Sequence, residues 1–186
     1  MKIKNICRIQ GTNINLCTFR TDDEAIETYH EWVNEEPILH FVSKHNKVIS
    51  LKEEKEWAMG NHRDINFNIV DKQTDTLIGN CGISLTPSCG RNASLGILIG
   101  NDKFRNKGYG TEVIKMLIKF AFEEIGVHRV HLTLNADNER AHKCYLKAGL
   151  KDEGAARDAI YHAGKYTDLL YMGILEDEYF NNKKEA

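Results

Sequence analysis

Apolar and polar residues alternate along Ile14-Asn-Leu-Cys-Thr-Phe19, the two-residue period of a half-buried strand. Directly after it, Thr21-x-x-Glu24 has the form of a capping box, which opens a helix with Ile26, Tyr29 and Val33 on one face. Ser50-x-x-Glu53 repeats the signal before Trp57. Ile65, Phe67 and Ile69 then alternate with Asn66 and Asn68, Asp71 to Asp75 supplies a turn, and Leu77 to Ile83 continues as the next strand of a hairpin. Ala93 to Gly100 makes a third strand of this meander. Ile114, Leu117, Ile118, Ala121, Phe122 and Ile125 recur at helical spacing until Gly126 closes the helix. Arg129-Val-His-Leu-Thr-Leu134 alternates as a strand, and Asp137 or Asn138 caps a helix that runs to Ala148 and stops at Gly149. Asp158 to Thr167 separates two last strands, the second holding Leu169, Tyr171 and Gly173. The order β-α-α-β-β-β-α-β-α-β-β predicts an α+β architecture, a mixed sheet with helices around it.

Between the apolar run Leu95-Gly-Ile-Leu-Ile-Gly100 and the helix that starts near Gly108 lies Arg105-Asn-Lys-Gly-Tyr-Gly-Thr111. A strand that turns into a helix through glycines stacks free backbone N–H donors at the positive end of the helix dipole, where a pyrophosphate is held well. The spacing Arg-x-x-Gly-x-Gly is neither Gly-x-x-x-x-Gly-Lys-Ser/Thr nor Gly-x-Gly-x-x-Gly, so the nucleotide-triphosphate and dinucleotide readings lose their main support. A plain glycine-capped surface loop remains the alternative.

Composition narrows the field. A chain of 186 residues with 41% hydrophobic and 28% charged residues and two prolines has the make-up of one ordinary globular domain, here read as 1–186 with a core of about 14–178 and a polar tail at 181–186. No apolar run is long enough to span a bilayer and the N-terminus lacks a signal peptide's apolar core, so neither membrane insertion nor export is expected. Cys7, Cys17, Cys81, Cys89 and Cys144 are odd in number and contain no C-x-x-C pair, so neither a disulfide framework nor a zinc ribbon is indicated and a reducing cytoplasm is the expected compartment. With 25 basic and 27 acidic residues interspersed, no basic stripe is available for a nucleic-acid backbone.

The strand, Arg105-x-x-Gly108-x-Gly110, helix, strand and Asn135-x-x-Asn138-x-x-Ala141-x-x-x-Tyr145-x-x-x-Gly149 together resemble the GNAT superfamily of acetyl-CoA-dependent N-acetyltransferases, over about Leu16 to Glu178. Trp32-Val-Asn34, Gly154-Ala-Ala-Arg157, Gly164-Lys-Tyr-x-Asp168 and Met172-Gly-Ile-Leu are similar to the branch of ribosomal-protein N-terminal and polyamine acetyltransferases. The resemblance implies a sheet splayed at the cofactor site, with Ile97, Leu98 and Ile99 pairing with the pantetheine arm as an added strand would. It also implies that the N–H groups of Arg105, Asn106, Lys107, Gly108, Tyr109, Gly110 and Thr111 hold the pyrophosphate, with Lys103, Arg105 and Lys107 adding charge. Gly108 and Gly110 serve this role because a Cβ there would block close approach.

Asn138 matches the asparagine that hydrogen-bonds the cofactor arm, and it can also cap its helix. Tyr145 matches the general acid placed near the CoA sulfur, or else is a core tyrosine on an amphipathic helix. An amine of pKa ~10.4 is mostly protonated at pH 7, and exposing its lone pair costs roughly 4 to 5 kcal/mol at ~1.36 kcal/mol per pH unit, so a proton acceptor is expected. Many relatives place a glutamate two residues before the strand glycine, and here that position is Ser94. A serine is no base by itself, so a water chain or another carboxylate takes the role. Glu35 and Glu36 lie in the acceptor-side segment between the first two helices, and Asp168 on a late strand could face the cleft. His162 beside Tyr161 could shuttle a proton.

His128 and His131 sit three apart on a strand and so face opposite ways, which argues against a shared metal. Cys144 lacks the histidine and acid partners of a nucleophile. The expected activity is direct transfer of acetyl to a primary amine through a ternary complex, with backbone N–H near Ile97 or Leu98 stabilising the oxyanion, and without a metal. The acceptor is a protein N-terminus or a small molecule such as a polyamine, amino sugar or antibiotic, and a homodimer is left open. The rivals are an acetyl-CoA-binding regulatory protein without catalysis, which Ser94 favours and Tyr145 disfavours, and a ribosome- or nucleic-acid-binding protein, which the missing basic stripe disfavours.

Overall fold

A computed structural model describes residues 5–36, 38–42, 47–60, 64–86 and 90–185. The chain forms two compact units, Met1–Gly82 with Ile97–Tyr109, and Ile83–Gly96 with Gly110–Ala186. The strands β4 (Thr76–Thr86) and β5 (Asn92–Ile99) pass through both.

In the first unit the strand order is β1-β2-β3-β4-β5, with β1 at Cys7–Gln10, β2 at Ile14–Thr18 and β3 at Asp64–Asp71. β2 lies antiparallel to both neighbours, with Leu16 opposite Ile69 and Thr18 opposite Phe67. Helices α1 (Asp23–Asn34), α2 (Ile38–Val42) and α3 (Leu51–Gly60) complete it. The buried stripe of α1, namely Ala25, Ile26, Tyr29, Trp32 and Val33, follows the helical repeat. Ala25, Tyr29, Trp32 and Ile38 form a core with Phe19, Leu77 and Leu98 packed against it. Tyr29 reaches through this core to donate its hydroxyl to Asn68 Oδ1 at 2.6 Å. Gly100 is a glycine for a steric reason: a Cβ there would stand 1.9 Å from the Trp32 ring.

The helix starts divide between expectation and correction. Ser50 and Glu53 cap α3 reciprocally, the Glu53 N–H donating to Ser50 Oγ at 3.3 Å and the Ser50 N–H to the Glu53 carboxylate at 2.9 Å. α1, however, is capped by Asp22, whose carboxylate accepts from the Ala25 N–H at 3.3 Å, and not by Thr21. Arg20 fixes that carboxylate from the side at 2.8 Å, which a lone hydroxyl at Thr21 could not match.

A second correction concerns the cysteines. β1 precedes the expected first strand and sets Cys7 opposite Cys17, and the two form a disulfide. An odd cysteine count without C-x-x-C spacing gave no sign of it, because the pairing comes from strand register and not from sequence spacing. Cys81 and Cys144 are free, and Cys89 lies outside the described residues.

In the second unit the order is β4-β5-β6-β8-β7, with β6 at Arg129–Asn135, β7 at Lys151–His162 and β8 at Lys165–Leu175. β5 and β6 are parallel, whereas β8 is antiparallel to both β6 and β7. The sheet is therefore mixed and largely antiparallel, as the α+β reading expects. Helix α4 (Tyr109–Phe120) buries Val113, Ile114, Leu117 and Ile118, each such side chain contributing roughly 1.5–3 kcal/mol. It widens into a π-helical turn at Ala121–Ile125 and stops at Gly126, whose φ of 74° is the left-handed cap the sequence predicted. Helix α5 (Glu139–Ala148) is capped by Asn138 and closed by Gly149.

Two expectations at the C-terminal end fail. Asp158 to Thr167 is not a separator: β7 and β8 run through it and are joined at Ala163-Gly164, with φ of 48° and 81°, a tight turn matched to strand twist. The polar tail is instead the end of helix α6 (Glu176–Glu185), which Tyr179 and Lys183 hold by bonding Glu123 at 2.6 and 2.7 Å; Ala186 lies outside the described residues.

Candidate functional site

The parallel ladder of β5 and β6 consists of Asn92 with Arg129, Ala93 with Val130 and Ser94 with His131. It ends there, although β5 continues to Ile99 and β6 to Asn135. β6 pairs with β8 along its whole length, from Arg129 to Asn135.

Beyond Ile99 the chain makes a 3₁₀ turn at Asp102–Phe104 and then the glycine loop. Asn106 and Gly108 are both left-handed, with φ of 61° and 82°, and a Cβ at Gly108 would meet nothing within 4 Å. Left-handed residues next to the start of α4 turn successive N–H groups to one side, the concave arrangement that holds an oxyanion. The side chains of the loop do other work. Arg105 points inward, its Nε donating to the Ile99 carbonyl at 3.0 Å and its terminal nitrogen to the Gly100 carbonyl, so it laces the end of β5 to the loop. The Tyr109 hydroxyl donates to Asp71 Oδ1 at 3.0 Å and anchors the loop to β3. That bond and two from Thr74 outweigh burial and hold the Asp71 carboxyl below its ordinary range. Lys107 lies 5.1 Å over the Phe104 ring, a cation–π contact.

In the second unit, Asn138 Oδ1 accepts from the Ala141 N–H at 3.2 Å, so its cap role is real. Tyr145 is on α5, and burial pushes its phenol above the ordinary value. It is therefore a neutral donor at physiological pH, as a general acid must be. Burial likewise keeps Cys144 a thiol, with Thr111 donating to its Sγ at 3.4 Å, which removes the case for a thiolate nucleophile.

Glu35 caps the end of α1 and pairs with Arg105 at 3.7 Å; Glu36 beside it is exposed. Asp168 accepts from the Asp158 N–H at 2.9 Å, where β7 bulges, so this carboxylate has a structural partner. His162 ends β7 next to the turn. Among the described residues no group of three or more His, Cys, Asp or Glu side chains could hold a metal ion.

The profile of the acetyltransferase (GNAT) domain matches residues 13–151. The chain belongs to the GNAT acetyltransferase family. A Bacillus subtilis relative named as the N-acetyltransferase YoaA is 28% identical over 154 residues, 83% of this chain and 82% of its own. The putative ribosomal N-acetyltransferase YdaF of Bacillus subtilis is 34% identical over 93 residues, half of each chain. The Vibrio cholerae spermidine N-acetyltransferase, solved with CoA and spermine, has the same fold, with a TM-score of 0.79 at 22% identity over 91% of this chain and 99% of that one. AAC(6')-Ib, solved with ribostamycin and coenzyme A, has a TM-score of 0.76 at 16% identity over 94% of this chain and 100% of that one.

GNAT membership makes sense of the loop and of the ladder that stops at Ser94. The sequence did not show that Arg105 turns inward, since nothing in Arg-x-x-Gly-x-Gly distinguishes a buttress from an exposed cation. It also left His131 unassigned, although alternation alone puts His131 on the same face of β6 as Arg129 and Thr133.

Proposed function

We propose that the chain is an acetyl-CoA-dependent N-acetyltransferase acting on a primary amine, either a peptide N-terminus or a small amine such as a polyamine or amino sugar. The observation that carries this reading is the β5–β6 ladder ending at Ser94 and His131, followed on β5 by a loop whose left-handed Asn106 and Gly108 suit a pyrophosphate. Acetyl-CoA supplies the activated thioester. The loop N–H groups from Arg105 to Thr111 bind its pyrophosphate, the backbone of Ile97 to Ile99 pairs with its pantetheine arm, and Asn138 bonds the same arm. An N–H near Ile97 or Leu98 receives the developing oxyanion. Tyr145, a phenol that is neutral at physiological pH and more firmly so on burial, donates its proton to the leaving sulfur.

Glu35 and Glu36 attract the cationic acceptor; the pairing of Glu35 with Arg105 leaves Glu36 the freer of the two. Asp168 is the weaker candidate because its carboxylate caps the β7 bulge. The Cys7–Cys17 bond removes the cysteine argument for a reducing cytoplasm, and no helix among the described residues is long and apolar enough to cross a membrane.

The alternative of a CoA-binding regulator rests on Ser94 standing where relatives often carry a glutamate. One experiment separates the two: release of CoA thiol from acetyl-CoA with a peptide amine, spermidine and an amino sugar in turn. Turnover with any one supports the enzyme, whereas acetyl-CoA binding without turnover on all three supports the regulator.

A further inference from the structure

The assignment of a proton acceptor is the gap in this account, and three observations in the second unit bear on it. His131 is the register partner of Ser94, in the last pair of the parallel ladder, so the two side chains leave the sheet on one face at the point where the strands cease to pair. His131 is also opposite Gly173 on β8, and the missing Cβ there leaves the room that Arg129 and Glu153 occupy as an ion pair beside the imidazole. Arg129 is thus paired with Glu153, while the half-buried imidazole makes no hydrogen bond to another described residue.

We propose that His131 is the general base of the acetyl transfer, taking the amine proton through a water held by the Ser94 hydroxyl. The proposal rests on the acetyltransferase reading and supplies the role that a glutamate at Ser94 would have filled. The free-base fraction of the amine, its ammonium proton already lost to solvent, attacks the thioester carbonyl: a C–N bond forms, the carbonyl π electrons move to oxygen, and the nitrogen becomes strongly acidic. Its proton passes to the water while a water proton passes to the imidazole. The C–S bond then breaks, the sulfur takes the Tyr145 proton, and the imidazolium and the tyrosinate are returned to their starting states through solvent.

The groups facing His131 favour this protonation state. Burial lowers the proton affinity of the imidazole below its ordinary value and Arg129 lowers it further, while Glu153 opposes them. Glu153 is itself held ionised by Arg129, against burial and the nearby Glu178. The imidazole is thus the free base at neutral pH, ready to accept.

Initial rates of wild type, His131→Ala, His131→Gln and Ser94→Ala, with a primary amine acceptor from pH 5 to 9, test it. Wild type is expected to show an acid limb in kcat that both His131 variants lack. Their kcat should fall by roughly 10²–10⁴ with unchanged acetyl-CoA affinity, and added imidazole should restore part of the His131→Ala rate. Ser94→Ala should lose roughly tenfold and keep the acid limb. Wild-type kcat and pH profile in either folded His131 variant overturns the assignment. So does a loss that spares the acid limb, or one that tracks a loss of acetyl-CoA affinity. If wild type itself binds acetyl-CoA and acetylates no amine, the acetyltransferase reading falls and this assignment with it.

Discussion

Glu54 costs the first unit stability at neutral pH, and the size of the cost follows from its surroundings. It sits on α3 with 3% of its surface exposed, and its Oε1 has no hydrogen-bond partner. Burial raises its pKa from 4.5 to about 6, His30 on α1 pulling it partly back. The ionised form is therefore disfavoured in the folded chain. Because the folded pKa lies above the unfolded one, the associated stability is complete below about 4.5 and is lost as pH rises through about 6. A shift of this size corresponds to about 2 kcal/mol above pH 7, at ~1.36 kcal/mol per unit.

Glu54→Gln keeps the shape of the neutral acid and cannot ionise. Its denaturant unfolding free energy relative to wild type is expected to rise by about 2 kcal/mol between pH 4 and pH 8. The same variant at pH 4 should lie within about 0.5 kcal/mol of wild type, since both then carry a neutral side chain. A difference between variant and wild type that does not change with pH would show that Glu54 is solvated or paired, and would refute the reasoning.

Gly108→Val should weaken acetyl-CoA binding in calorimetry without unfolding the chain, because it places a branched side chain at φ 82° above the N–H cradle; unchanged affinity would remove the cradle assignment. Replacing Glu35 and Glu36 together by Gln should raise the acceptor KM roughly three- to tenfold with kcat and acetyl-CoA affinity retained, since exposed charge pairs are worth at most ~1 kcal/mol each. A fall in kcat that shrinks at alkaline pH would instead make one of them the base and displace His131. Reducing the Cys7–Cys17 bond should destabilise the chain by roughly 2–3 kcal/mol, the chain-entropy value for a ten-residue separation. Alkylation of the protein from intact cells will read which state it adopts there.

The sequence made most of the core elements legible because their apolar spacing is set by burial: the α1 stripe, the α4 stripe and the alternation of β6 are visible in the chain, whereas β3 is buried from Phe67 to Asp71, Asn68 included, so its apolar-polar alternation does not mark one buried face. The motif carried the family as well, since Arg105-x-x-Gly108-x-Gly110 and Asn138 to Tyr145 depend on local backbone geometry. β7 was misjudged because it is exposed along most of its length, so burial writes no alternation into it. α6 was missed for a similar reason: its support comes from Glu123 on a distant element. The disulfide, the inward turn of Arg105 and the pairing of Ser94 with His131 are all consequences of register. They appear only when the strands are laid side by side.

The central claim, that this chain moves acetyl from acetyl-CoA to an amine with Tyr145 as the acid, is tested most directly by steady-state kinetics of Tyr145→Phe beside calorimetry of its acetyl-CoA binding. The predicted result is a kcat lowered by roughly 10²–10⁴ with acetyl-CoA affinity unchanged, because only the proton delivered to the leaving sulfur has been removed. A folded Tyr145→Phe variant with wild-type kcat would make Tyr145 a packing residue and contradict the account.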